Sequence, residues 1–408
     1  MNKVPKILYV DIHLHSLNPT NTMMPNMMNG VGDVTFYGPG YVSDADLAGG
    51  VLRFIDRTGP YDVLFLGPNM PVLSVADENL HETAAYFTRW SALTPPPATI
   101  YKFFVEFLRT IPSIPVPLRL ACLVTLDSYS STQRQMDRLD FFDMNFIASN
   151  EHFVRRVADL PEWANREKHY RANVHNISDA WYDYLAARPE RVITSLHFLS
   201  DSEFSFRGLA DRNSEVSIPG VDYLTRREAL ASLRGTGIGV SSKLTYNVYR
   251  AFNKLKLPVY ARYPLLKYFN VSYFSNLMNT KYVFTAAEVF GMPVRKYFEI
   301  PAAGSVLLAT PCNGFDRIGF KPGVNCVQVL PNGLADAVAH LEKNPDEAQA
   351  IATAGQQLMY RQHTISARIG QVRSCLDAMI AGRFLGAEWV GGEYSVKLKA
   401  QAKLKSQG

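Results

Sequence analysis

Residues 9–16 read "YVDIHLHS", an Asp and two His at alternate positions directly after an apolar run. On an extended segment alternate side chains share a side, so Asp11, His13 and His15 could chelate a divalent metal together. A metal-dependent hydrolase built that way needs further His or Asp ligands at later strand ends. The remaining seven histidines (His81, His152, His169, His175, His197, His340 and His363) are isolated, and no second His pair follows. That makes the hydrolase the weaker reading of the stretch.

A second set of chemistry-bearing residues is cationic. In "YLTRREAL", after Tyr223, Thr225 and Glu228 have the spacing of a capping box, which predicts a helix beginning at Thr225. Arg226 and Arg227 then fall in its first turn, where the helix dipole disfavours cations. They are either two solvated arginines or the arms of an anion site that also uses the free helix N–H groups. In "GMPVRKYFEIPAAG" the pattern returns, with Arg295 and Lys296 at a helix start and Glu299 one turn on. A carboxylate so placed can accept both hydroxyls of a ribose while its cationic neighbours neutralise phosphates. A plain surface Arg295–Glu299 pair, worth only a few tenths of a kcal/mol, is the bland alternative.

Short apolar runs are the elements that must carry these residues. "KILYVDI" (6–12), "DVTFYGPG" (33–40), "YDVLFLGPN" (61–69), "RLACLVTLD" (119–127) and "MNFIAS" (144–149) read as strands buried on both faces, the mark of a parallel sheet. The helix "IYKFFVEFLRT", between Pro-rich turns, reads as a core element rather than a membrane anchor. A second series begins near residue 215: "EVSIPG", "KYVFTAA", "SVLLATP" and "NCVQVL" as strands, with helices over "TRREALASL", "VRKYFEIPAAG", "GLADAVAHLEKN" and "PDEAQAIATAGQQLMYRQHT". The fold class expected is α/β: two Rossmann-like domains facing each other across a cleft, with ligands outside the carboxyl ends of the strands. The expected boundaries are 1–200, 201–385 and a C-terminal segment 386–408 with a basic tail.

Composition agrees with a globular chain: 408 residues, 47% hydrophobic and 19% charged. The four cysteines are scattered without a CxxC pair, as in a reduced, cytoplasmic protein. No signal peptide and no run long enough to span a membrane is read. The net charge is only +5, but no Asp or Glu occurs between Glu228 and Glu288, where eight Lys or Arg and seven Tyr stand. Such a field attracts anions: a nucleotide diphosphate, or the anionic inner face of a membrane. Nucleic acid is a poor partner, since no binding motif accompanies the charge.

Here a resemblance becomes specific. "RKYFEIPAAGSVLLAT", then "NGFDRIGFKPGVNCVQV" and "NPDEAQAIATAGQQLMYRQHT", resembles the donor-binding half of GT-B glycosyltransferases, most of all the spore-maturation-type group-1 members. "VTFYGPGY" and "VSIPGVDYLTR" are similar to that group's first domain and domain junction. The resemblance implies a nucleotide-sugar donor held by the second domain and a glycan or lipid-linked acceptor held by the first, without metal or other cofactor. It implies that Glu299 holds the donor ribose and that Gly304 is the small residue closing its helix. Arg295, Lys296 and Arg226, with Tyr223 beside it, would meet the diphosphate. It departs from the pattern at Gly291, where many retaining members carry a second carboxylate; Glu288 is the nearest acid. For the acceptor hydroxyl, Asp127, Asp11, His13, His15 and Glu151, all at strand ends of the first domain, remain open as base or contact. A sugar-nucleotide epimerase of the same form and a non-catalytic nucleotide-sugar-binding protein are the competing readings.

Overall fold

Strands with apolar side chains on both faces must be covered on both faces, and the chain does this twice. The computed structural model describes residues 3–16, 19–73, 77–93, 96–123, 130–148, 153–160, 177–220, 223–242, 244–255, 263–287 and 290–400. In chain order its strands are β1 (Lys6–Val10), β2 (Leu14–Ser16), β3 (Asp33–Tyr37), β4 (Val63–Leu66), β5 (Ser91–Leu93), β6 (Leu118–Cys122), β7 (Asn145–Ala148) and β8 (Val192–Thr194). After them come β9 (Ser214–Ser217), β10 (Thr280–Thr285), β11 (Val306–Ala309), β12 (Val327–Gln328), β13 (Phe384–Val390) and β14 (Glu393–Leu398).

The first sheet is parallel, in the order β3-β1-β4-β6-β7-β8. Alternation along its strands divides the core: Leu8, Val10, Leu64, Leu66 and Ala121 face one hydrophobic cluster, and Ile7, Tyr9, Val63, Phe65, Leu120 and Cys122 face the other. Helix Pro97–Thr110 is a core element as expected, with Phe103, Phe104, Phe107 and Leu108 buried. All five apolar runs of the first half contribute a strand. The edge strand β8 was not foreseen, because "VIT" is too short a run to stand out. The strand order reverses between β1 and β4, and the loops after these two strands are joined by the Asn69–Asp11 hydrogen bond at 3.1 Å.

The second sheet is also parallel, in the order β12-β11-β10-β9. Val283, Leu307 and Ala309 face one cluster, and Val216, Tyr282, Phe284, Val306 and Leu308 the other. The expected strand over 325–330 shrinks to the two residues of β12. The fold is therefore α/β with two Rossmann-like parallel sheets.

Helix Ile365–Ile380 does not stay with the second sheet. It packs on helix Pro19–Val31, and its Val372, Cys375 and Leu376 join the cluster of Ile7, Tyr9 and Phe65 under the first sheet. The hairpin β13–β14 lies beside β8. The chain thus leaves the first unit near Leu199 and re-enters it near Thr364. These two crossings are tied together: the Leu199 N–H donates to the His363 carbonyl at 2.8 Å, and the Ile365 N–H to the Leu199 carbonyl at 3.0 Å. Beside them Arg368 is fully buried, donating to His363 Nδ1 at 3.1 Å, with its guanidinium 5.1 Å above the Trp389 ring. Burial holds its pKa down to about 9, and burial beside Arg295 and Arg368 holds His197 down to about 3.

Candidate functional site

At the carboxyl ends of β9 and β10 two loops lead into helices Leu224–Ser232 and Lys296–Ala302. The first helix opens at Leu224 with Tyr223 as its N-cap residue, one residue before the expected Thr225. Thr225 therefore lies inside the helix, and the capping box read from the sequence is not its N-cap. Arg226 is 5% exposed, with its guanidinium 5.6 Å above the Tyr223 ring. The turn before it is tight: Gly220 has φ +97°, and a Cβ there would lie 2.9 Å from Arg226 Nη1, 3.1 Å from Lys296 Cε and 3.4 Å from Lys296 Nζ. Two cations from two helices therefore converge on one backbone turn. Burial, then the neighbouring Arg226, lowers the Lys296 pKa to about 8. Lys296 forms no ion pair among the described residues.

Arg295, the next residue back, has the opposite environment. It is 9% exposed and lies between two carboxylates. Its Nη1 and Nη2 donate to Glu203 Oε1 at 2.8 and 2.6 Å, its Nη1 also to Glu299 Oε1, and its Nη2 to the Phe198 carbonyl at 3.1 Å. The second Glu299 oxygen accepts the Tyr273 hydroxyl at 2.6 Å. The i,i+4 pairing of Arg295 with Glu299 is as the sequence suggests, but it is buried rather than a surface pair. Its third member, Glu203, lies 92 residues from Arg295, and nothing in the local sequence marks it. Burial raises the Glu203 pKa despite Arg295 beside it, and the two acids hold Arg295 firmly charged.

Three cations thus meet two carboxylates. Arg295 is held by both acids, and Arg226 and Lys296 stand together beside this network. The neighbouring loop carries Gly291 at φ +81°, where a Cβ would approach Asn313 Oδ1 to 2.9 Å. A second carboxylate at this position would be both strained and crowded. Gly304 lies at the far end of the Lys296–Ala302 helix, against Arg212 and the Ser205 carbonyl, and takes no part in the cation cluster.

Across from this cluster, the "YVDIHLHS" side chains do not converge. Asp11 is 1% exposed. It accepts from the Tyr9 hydroxyl at 3.2 Å, Asn69 Nδ2 at 3.1 Å and the Ile12 N–H at 2.9 Å. Burial raises its pKa to about 7, against the lowering effect of these hydrogen bonds. The His13 ring instead stands edge-on to Tyr41 at 5.2 Å and to His15 at 5.4 Å. Among the described residues no cluster of three or more His, Cys, Asp or Glu is placed to hold a metal. Burial and then His13 lower the His15 pKa.

His15 borders a cleft of about 730 Å³ between the two units, with Met23, Asn26, Glu203, Arg207 and Phe274 among its lining. Glu203 therefore joins the cleft to the Arg295–Glu299 pair. Asp127, Glu151 and Glu288 lie outside the described residues.

A family model described as "Glycosyl transferase-like" matches residues 238–374, about a third of the chain. No match is found among curated protein sequences. Among solved structures, the chain is similar to Anabaena HepE (Alr3699) in complex with UDP-glucose, at 12% identity and a TM-score of 0.49, over 91% of this chain and 99% of that one. It is also similar to a glycosyltransferase from Rickettsia africae, at 10% identity and a TM-score of 0.45, over 93% and 99%. Sucrose-phosphate synthase from Thermosynechococcus elongatus matches at 12% identity and a TM-score of 0.42, over 93% and 100%.

Proposed function

We propose that this protein is a GT-B-type glycosyltransferase that moves a sugar from a nucleoside diphosphate to a hydroxyl of a glycan or lipid-linked glycan. The observation that carries the reading is the convergence of buried Arg226 and half-buried Lys296 on the Gly220 turn. Cations brought this close repel each other, as the lowered Lys296 pKa reflects, and a diphosphate would relieve that cost. The family match over 238–374, which includes Lys296 and Glu299, supports the same assignment.

In the transfer the bond from the anomeric carbon to the diphosphate oxygen breaks, and charge develops on the leaving phosphate. Arg226 and Lys296 are already fixed beside that position, so they stabilise the charge without reorganising, and no metal is required. Glu299 receives the ribose hydroxyls when the Tyr273 hydroxyl gives way. The acceptor enters from the cleft, where His15 is the residue of the first stretch that borders open space. A neutral imidazole there can take the acceptor proton as the new glycosidic bond forms.

Calorimetric titration with UDP-, GDP- and dTDP-linked sugars should give specific binding to one of them. CMP-linked sugars, with a single phosphate, should bind more weakly. Absence of heat and of thermal stabilisation with all of them would refute the reading.

A further inference from the structure

The acid-free segment contributes Tyr273 to the proposed donor site, through its hydrogen bond to Glu299, and its positive charge is left unused. Between β9 and β10 it forms two helices, Leu244–Lys254 and Tyr263–Met278, in contact through the Ser272 hydroxyl, which donates to Thr245 Oγ1 at 3.2 Å. On the first, Leu244, Val248, Ala251 and Leu255 are exposed. Their spacing of four, three and four residues lines them up in one stripe, which the Leu255 N–H continues past Lys254 by donating to the Ala251 carbonyl at 3.0 Å. Leu244 and Leu255 are 70% and 68% exposed. On the second helix Pro264, Tyr268, Val271 and Ser275 form an equivalent exposed stripe, with Tyr268 at 59% and Val271 at 60%.

Exposed cations flank both stripes. Arg250 and Lys267 form no ion pair among the described residues, whereas Lys281, farther along, is neutralised by Glu342 at 3.0 Å. No acid occurs from residue 229 to 287. Isolated surface leucines are ordinary, but an aligned apolar row on two touching helices whose own charges are all positive is a specific combination. A protein partner covering such a row does not require every acid to be missing from its surroundings. An anionic lipid surface does: the apolar row enters the acyl boundary, and the cations meet the headgroups.

We propose that helices 244–254 and 263–278 dock this protein on an anionic lipid bilayer. Lys267 and Val271 also line the interdomain cleft, so docking would bring the cleft mouth against the headgroups. The proposal rests on these two helices and stands independently of the glycosyl-transfer reading.

The test is co-sedimentation with vesicles of phosphatidylcholine alone and of phosphatidylcholine mixed with phosphatidylglycerol, without donor. The expected result is binding to the mixed vesicles that weakens as salt rises, and little binding to phosphatidylcholine. The triple variant Leu244→Ser, Val248→Ser, Leu255→Ser should lose about tenfold or more in vesicle affinity, as should the double variant Arg250→Glu, Lys267→Glu. Because all five positions are exposed, thermal unfolding should be unchanged, which separates lost docking from lost folding. No binding by the wild type at low salt would overturn the proposal. So would undiminished binding by the triple variant, or a wild-type dimer in solution that the triple variant converts to monomer, since a second copy would then cover the stripe.

Discussion

Buried carboxylates stand in contrasting company beside the two sheets. In the first, Asp11 is surrounded by neutral donors: a phenol, an amide and a backbone N–H. In the second, Glu203 and Glu299 share one arginine, and Arg226 and Lys296 stand together beside them at the Gly220 turn. A carboxylate held by neutral donors can exist charged or protonated, and it leaves nothing over to recruit an anion. Cations gathered at one backbone turn attract an anion. Under the proposed function donor binding belongs to the second sheet, while Asp11 ties the loops after β1 and β4 through Asn69.

The strongest way to break this contrast is to remove the arginine between the two acids. Arg295→Ala leaves Glu203 and Glu299 buried without their cation and should cost about 3–5 kcal/mol of stability, read from urea unfolding. A loss of only a few tenths would mean that the network is solvated, and the contrast would fail.

Lys296→Met acts on the cations at the Gly220 turn. Loss of a charge-assisted bond to phosphate, worth about 1.5–3 kcal/mol, should weaken donor binding by about tenfold or more. The unliganded protein should become no less stable, because a repelled cation has gone. Its pH dependence sharpens the point. In the free protein Lys296 loses its proton near 8, and a bound diphosphate favours the protonated form. Donor affinity should be level below about pH 8 and fall above it, and Lys296→Met should abolish that fall. Calorimetry across a pH series measures both.

Asp11→Asn probes the first sheet. The folded-state pKa of Asp11, about 7, lies above its unfolded value, so the folded state binds the extra proton. The contribution of Asp11 to stability is therefore fully present below the unfolded carboxyl value and is lost as pH rises toward 7. The variant should remove this decline while leaving donor affinity unchanged. A change in donor affinity would merge the two sites. The smallest effect is expected for Tyr273→Phe, which deletes one hydrogen bond to Glu299 and should cost about 1 kcal/mol in unfolding. Its donor affinity should hold or rise, since the ribose no longer displaces a hydroxyl.

What could be read from the sequence follows the range of the interactions involved. Strands buried on both faces declare themselves as apolar runs, and such runs mark β1, β3, β4, β6 and β7 in the first sheet and β9, β10 and β11 in the second. The three-residue β8 and the two-residue β12 depend on neighbours that supply most of their contacts. Arg295 and Glu299 are one turn apart and could be paired by spacing alone. Glu203 could not, because a separation of 92 residues is closed only by the fold. The start of the 224–232 helix was misplaced by one residue because Thr225 and Glu228 imitate a cap that Tyr223 occupies.

The paired crossings at Leu199 and Thr364 have one more consequence. Residues 200–364 form an insertion into a first unit completed by the Ile365–Ile380 helix, and the two ends of that insertion are one hydrogen bond apart. Such a segment can be lifted out as a cassette, with the host strands rejoined by a short linker. The corresponding segment of a related chain could be exchanged at these same two positions without lengthening either junction.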